Sequence, residues 1–405
     1  MNVKDALSGS RDYITKASLG MMVLGVFLVV SGNFYIENAF TTKIYLTVIF
    51  FTIVMAIVDF HRLGFIQRLV ADSTLFKILS SLMLWCLVSS WVVSEDFSKI
   101  FLRLLCITVF VMGVAWLRFY HQQLFYRVLY LGVVVATLLL AYSFFDFYAD
   151  KSFKSRLRGF GLDTRNPVVV GIVSGGLSVL AYALLRASTW SRMASHGLKL
   201  CAVILFVVSI FTWSKTVVLG FSAAVIFYLI SRGDVKKFFN SFVAMVVVFA
   251  FFMWLSDSWR LVNLDSISTL SNRLPIWINS MDTIRSNLLF GSGLDYEGSF
   301  IGGRGKPMEH LHNSYLQALF YTGVAGFALF SAMYIYPLAS ICFGRMKRSR
   351  HLVFLFGFAA GVQLVEVHVF LSRPNFYWFL LWLPIGWFIA EELEASERIR
   401  GERDK

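Results

Sequence analysis

Twelve apolar runs, most of them near the length of a bilayer crossing, leave this chain few ways to fold. They lie at 18–36, 41–60, 75–93, 99–117, 124–145, 167–185, 198–213, 216–231, 238–255, 313–342, 352–370 and 374–390. A hydrocarbon core of about 30 Å is crossed by about 20 helical residues. No water is present there to satisfy the backbone, so each run must close its own hydrogen bonds as a helix. A large soluble helical protein would show striped helices, apolar on one side only. These runs are apolar all round. Charged residues make up 15% of the chain, against about 25% in soluble domains. The expectation is an all-α polytopic membrane protein of about twelve spans, with residues 1–405 forming one integral membrane domain.

The first run follows the polar stretch Asn2–Lys16 and ends without a small-x-small cleavage site, so it reads as a span rather than a removed signal. The pair 198–213 and 216–231 is parted only by Ser214 and Lys215, which leaves a tight hairpin and a single broken span both open. Cys86, Cys106, Cys201 and Cys342 fall in or beside apolar runs without metal spacing and read as small buried residues. The tail 391–405 mixes charges of both signs and reads as a solvated helix end.

The net charge of +13 is not a nucleic-acid signature, because the basic residues are dispersed through short loops rather than gathered on a soluble face. They report orientation instead. With the N-terminus in the cytoplasm and twelve alternating spans, both termini lie inside, and the inner segments collect most of the lysines and arginines, among them Arg118, Arg186, Arg232, Lys347, Arg348 and Arg350. Two outer loops break that rule. Loop 146–166 carries Lys151, Lys154, Arg156, Arg158 and Arg165, and loop 255–312 carries Arg260, Arg273, Arg285, Arg304 and Lys306; Lys215 stands in the outer turn between the seventh and eighth runs. Attraction to lipid headgroups is one reason for such cations. An anionic ligand at the outer surface is the better one, because the charges sit in two loops and not in all of them.

Loop 255–312 is the longest polar interruption in the chain. From Asp265 to Arg285 the apolar residues Ile267, Leu270, Leu274, Trp277, Ile278, Met281 and Ile284 recur at helical spacing, which predicts an amphipathic helix at the outer interface. Arg273 and Trp277 are four apart and share a face; Pro275 either starts the helix or interrupts it. Glycines follow at Gly291-Ser292-Gly293 and at Gly302-Gly303. They match no nucleotide-binding motif. The loop closes on His312 at the edge of the next span. An imidazole there can take a proton from a hydroxyl, the task of a general base. His310 and His312 are two apart, so they do not share a helical face and no metal site is expected. Within the spans ionisable residues are few, with Arg103 and Glu366 the ones to note.

His312-Asn313, nine residues, then Gly323-x-x-Gly326 resembles the signature of bacterial O-antigen ligases, and Arg273-x3-Trp277 followed by Gly291-x-Gly293 resembles the run that this superfamily shows ahead of its histidine. Arg158-Gly159 with Asn166-Pro167 resembles its entry to the sixth span. The family's Arg-x3-Leu motif has a departure here: the nearest match is Lys215-x3-Leu219, which keeps the charge but loses the planar fork. The resemblance implies twelve spans with one large periplasmic loop, an architecture similar to the GT-C membrane glycosyltransferases, in the bacterial inner membrane with the active site periplasmic. It implies transfer of a preassembled glycan from undecaprenyl diphosphate to a sugar hydroxyl of lipid A–core, inverting, with no cofactor and no metal. His312 would be the base. Arg158, Lys215 and Arg273 would hold the diphosphate, with Arg156 and Arg165 beside them. Asn313, Gly323, Gly326 and Trp277 would support the motif. O-antigen polymerases and protein O-oligosaccharyltransferases are similar, and a lipid-linked glycan flippase is the alternative from another class.

Overall fold

A computed structural model describes residues 19–31, 64–93, 96–153, 155–159, 166–233, 268–296, 298–301, 307–308, 310–344, 346–366, 371, 375 and 377–403, with backbone alone at 268–272 and 301. The runs at 41–60 and 238–255, and Arg165, Arg260, Arg304 and Lys306, lie outside the described residues. The described chain is all-α apart from one two-stranded pair. Its helices are α1 (Leu19–Ser31), α2 (Phe65–Asp72), α3 (Thr74–Val93), α4 (Phe97–Tyr120), α5 (Gln122–Asp150), α6 (Pro167–Ala187), α7 (Arg192–Phe211), α8 (Lys215–Arg232), α9 (Ser268–Ser286), α10 (Ser314–Cys342), α11 (Val353–Gln363) and α12 (Trp378–Arg403). Phe300–Ile301 and Pro307–Met308 pair antiparallel in the loop before α10. Among the described residues, seven helices are long and apolar enough to cross a membrane: α3 to α8 and α10.

The core runs along α12 and α6. Trp378, Trp382 and Trp387 are fully buried, and Trp378 meets Phe110 of α4 with ring centroids 5.0 Å apart. α6 begins as its sequence dictates: Pro167 takes the first helical position, and Asn166 Oδ1 accepts the Val168 N–H at 3.0 Å.

Close approach of α8 and α11 depends on small residues. A Cβ on Gly357 would lie 2.7 Å from the Ala224 Cα, and one on Gly361 would lie 2.8 Å from the Leu219 carbonyl oxygen. Without side chains at the contact, backbones approach and dispersion rather than water exclusion holds the pair, as is usual in lipid. These contacts also set direction. Residue numbers fall on α8 as they rise on α11, so the helices are antiparallel, and Glu366, just past α11, stands at the Lys215 end of α8.

Between α7 and α8 the chain breaks at Thr212–Ser214, with Trp213 at a left-handed φ of 51°. Phe206 and Phe221 meet across the break at 5.1 Å. The chain therefore doubles back as a hairpin, and the single broken span is set aside. Pro275 lies inside α9, not at its start. One further expectation is corrected. The beginning of the tail is not solvated: α12 runs on to Arg403, and Glu391 and Glu392 are buried. Their partners explain it. Arg118 binds Glu391 at 2.8 Å and Glu394 at 2.5 Å, while Glu392 accepts from Ser73 Oγ and Tyr336 Oη, both at 2.6 Å.

Candidate active site

The run 313–342 is one helix broken in its first third. Gly323 has φ 70° and ψ −170°, which interrupts the α10 ladder. Carbonyls ahead of such a break lose their helical donors, and in lipid they must find others. The Gly291-x-Gly293 loop supplies them. Ser292 N–H donates to Phe320 O at 2.8 Å and Gly293 N–H to Tyr321 O at 3.2 Å, while Val324 N–H donates back to Leu288 O at 2.9 Å. Trp85 Nε1 of α3 covers Thr322 O at 2.7 Å, and its ring stacks on Phe290 at 5.5 Å. A Cβ on Gly323 would collide with Leu289 O, and one on Gly291 with the backbone of Tyr321 and Thr322. The glycines of both motifs thus meet each other: one opens the helix, the other fills the opening. Gly326 abuts Thr322 and Trp85 in the same junction.

This docking fixes the outer end of α10. Asn313 is its N-cap, with Oδ1 accepting Leu316 N–H at 2.9 Å. His312 precedes it at φ 51°, a left-handed conformation that a non-glycine residue adopts only where its surroundings enforce it. Trp277 of α9 provides part of that enforcement, donating Nε1–H to Leu311 O at 2.8 Å. One turn earlier on α9, Arg273 pairs with Glu366 Oε2. The other oxygen of that carboxylate, Oε1, stands 3.5 Å from His312 Nδ1. Glu366 is 5% exposed and His312 14%, so a buried carboxylate joins the imidazole to the guanidinium. The expected pair Arg273 and Trp277 does face one place, the backbone and carboxylate that adjoin His312.

Among the described residues, Lys215, Arg156 and Arg158 stand at the same end of the bundle on other elements. Lys215 is exposed at the N-terminus of α8, where helix N–H groups and their dipole favour an anion. Segment 155–159 is stapled to the α7 end by Leu157 N–H to Phe211 O at 3.0 Å and Arg156 Nε to Thr212 O at 3.1 Å. Burial, and the neighbouring Arg158 guanidinium, hold the Arg156 pKa below its ordinary value; an arginine stays charged regardless. Arg156 is only partly covered, and both it and Arg158 are exposed.

A cavity of about 780 Å³ opens at this end, lined by Asp96, Lys99, Arg103, Ser292, Asp295 and Tyr296 among others. α3 and α10 run antiparallel, since Trp85 meets Thr322 while Ser73 and Tyr336 share Glu392 further on. Val93 in the cavity wall therefore stands at the His312 end of α10. Lys99 pairs with Asp96, and Asp96 N–H donates to Asp295 Oδ2 at 3.0 Å.

Sequence reasoning singled out Glu366 as an ionisable residue within an apolar run but gave it no role. The signal was there, because a buried carboxylate in a span needs a partner; the partner's identity was not.

Fold and site together define a class: a polytopic all-α membrane protein with a histidine–carboxylate–arginine cluster at one end of its helix bundle. A family model described as O-antigen ligase matches residues 200–331. An O-antigen ligase from Pseudomonas aeruginosa is 27% identical over 281 residues, an alignment covering 66% of this chain and 66% of that relative. The chain is thus aligned with about two thirds of its relative's length, and it is similar to O-antigen ligases over the residues matched.

Proposed function

We propose that the protein is a metal-independent glycosyltransferase of the ligase type. It moves a preassembled glycan from undecaprenyl diphosphate to a sugar hydroxyl of lipid A–core at the periplasmic face of the inner membrane. The observation that carries this reading is the Glu366 carboxylate set between His312 and Arg273. A carboxylate at Nδ1 fixes the imidazole's orientation and tautomer and stabilises the imidazolium once a proton arrives. Nε2 is then the atom that accepts the acceptor hydroxyl's proton. The oxygen attacks the anomeric carbon with inversion, and the bond from that carbon to the diphosphate breaks with its electron pair leaving on the phosphate. Lys215 at the α8 N-terminus and Arg158 hold that departing charge. Arg273 acts through Glu366 and presents the rest of its fork to the same anion. The polar cavity beside Tyr296 receives hydroxyl-rich sugar, its mixed carboxylates and cations serving as acceptors and donors.

Purified protein in detergent, given lipid-linked donor and lipid A–core, tests this directly. Transfer without any membrane gradient is expected, and His312→Ala is expected to lower its rate by about 10²–10⁴-fold with unchanged extraction from the membrane. Wild-type rates in that variant would remove the base assignment. Transfer only to a second lipid-linked glycan would make the protein a polymerase, and movement of donor across vesicles without transfer would make it a flippase.

A further inference from the structure

The opposite end of the bundle holds a second cationic cavity that the proposed reaction does not use. It measures about 210 Å³ and is lined by Tyr182, Arg186, Tyr228, Arg232, Lys347, Arg348, Arg350 and His351. These residues come from separate elements: the end of α6, the end of α8, and the 3-10 turn Lys347–Leu352 ahead of α11. Arg232 lies 17 positions beyond Lys215 on α8, so the cavity is about 25 Å from the His312 end at ~1.5 Å per residue. We infer that it binds the phosphate of an anionic lipid headgroup in the leaflet on that side.

Charge is the first argument. Among the described residues lining the cavity there are five lysines and arginines and no aspartate or glutamate. Elsewhere at this end three arginines have carboxylate partners: Arg118 has Glu391 and Glu394, Arg68 has Glu397, and Arg400 has Asp72 at 2.5 Å. Glu391 lies behind His351 at 3.7 Å and is already bound by Arg118, and Glu402 shares a separate cavity with Lys347 and Arg348. A general bias of positive loops toward one side of the membrane requires only that the cations be there. It does not require three elements to aim them at one hollow.

Geometry is the second. Arg232 lies over the Tyr228 ring at 5.4 Å and donates from Nε and Nη2 to its hydroxyl at 3.1 and 3.0 Å. That contact orients the guanidinium plane, and a planar fork is suited to phosphate oxygens. Tyr182 and Tyr228 both pack against Phe354, at 4.8 and 4.5 Å, so aromatic rings line the cavity beside its cations. The volume suits one headgroup rather than an extended ligand. Basic pockets between spans near the membrane surface are chemically suited to phospholipid headgroups.

The test uses the full-length protein in an uncharged detergent. Phosphatidylglycerol, phosphatidylcholine and inorganic phosphate are added separately, and the thermal unfolding midpoint and lipid retained in native mass spectrometry are read. Phosphatidylglycerol is expected to raise the midpoint by roughly 2 °C or more, and Arg186→Gln combined with Arg350→Gln to raise the half-saturating lipid concentration at least fivefold. If that double variant does not fold, Lys347→Gln, outside the long helices, carries the comparison with a smaller loss expected. An equal shift with phosphatidylcholine, unchanged saturation in the folded variants, or the same shift from inorganic phosphate alone would overturn the lipid site, the last in favour of a free-phosphate pocket. Glycan transfer is not read in these measurements, so their outcome is separate from that of the proposed function.

Discussion

Glu366 concentrates the chemistry of the outer site in one side chain, because its two oxygens face the imidazole and the guanidinium. Replacing it with glutamine keeps the shape and removes the charge. Glu366→Gln is expected to lower the rate constant for transfer by more than tenfold while the acceptor concentration at half-maximal rate changes little, measured by steady-state assay in detergent; an unchanged rate would show that the carboxylate does not orient the base. Arg273→Lys keeps the charge and loses the fork, so its activity is expected to fall between wild type and Arg273→Ala. His351 at the far end gives a stability test. Burial depresses its pKa, Glu391 opposes that shift and Arg118 assists it. The folded protein therefore takes its proton later than the unfolded chain, for which the value is about 6.5. This contribution is complete above about pH 6.5 and lost as pH falls below it. His351→Asn is expected to flatten the decline in the unfolding midpoint between about pH 6.5 and 5, read by thermal denaturation.

At the scale of elements, the broken α10 is the part on which the site's shape rests. Its interruption leaves carbonyls that the Gly291-x-Gly293 loop and Trp85 satisfy, so the break and the loop must form together. Gly323→Ala puts a Cβ at φ 70° against a backbone carbonyl. It is expected to destabilise the protein by on the order of 3 kcal/mol or more and to abolish transfer, measured as midpoint and folded yield. Gly20→Ala in α1, where nothing lies within 4 Å of the new atom, is the neutral control. The spacing from His312-Asn313 to Gly323-x-x-Gly326 was legible in sequence as a resemblance. Its mechanical meaning was not, because nothing in residues 313–326 says which distant N–H groups will fill the gap. The α9 helix was read from its periodicity, yet Ile276 is buried whereas Leu274 and Ile278 are about half exposed, since the neighbours of α9 select its buried face.

For the molecule as a whole, both ends of the bundle carry cations. The His312 end also holds the larger polar cavity. The other neutralises Arg118 with Glu391 and Glu394 and thereby ties α4 to α12. Removing Arg118 leaves two carboxylates without their cation in a poorly solvated place; Arg118→Ala is expected to lose about 3–5 kcal/mol, and the triple change Arg118→Met, Glu391→Gln, Glu394→Gln to recover much of that, both read as unfolding midpoints. Residue order was sufficient for the class of molecule, because hydrocarbon admits a continuous apolar run only as a helix, and each run declares itself locally. It also marked the histidine, the stranded cations and the glycines, whose types are unusual where they stand. It did not reveal that Glu366 would join His312 to Arg273, that the first acids of the tail would be buried, or that the cations from three elements would surround one hollow. Those are relations between segments far apart in the chain, and their geometry came from how the helices pack: small residues let α8 and α11 close together, a glycine opened α10, and each buried charge was held where a partner from another helix could reach it.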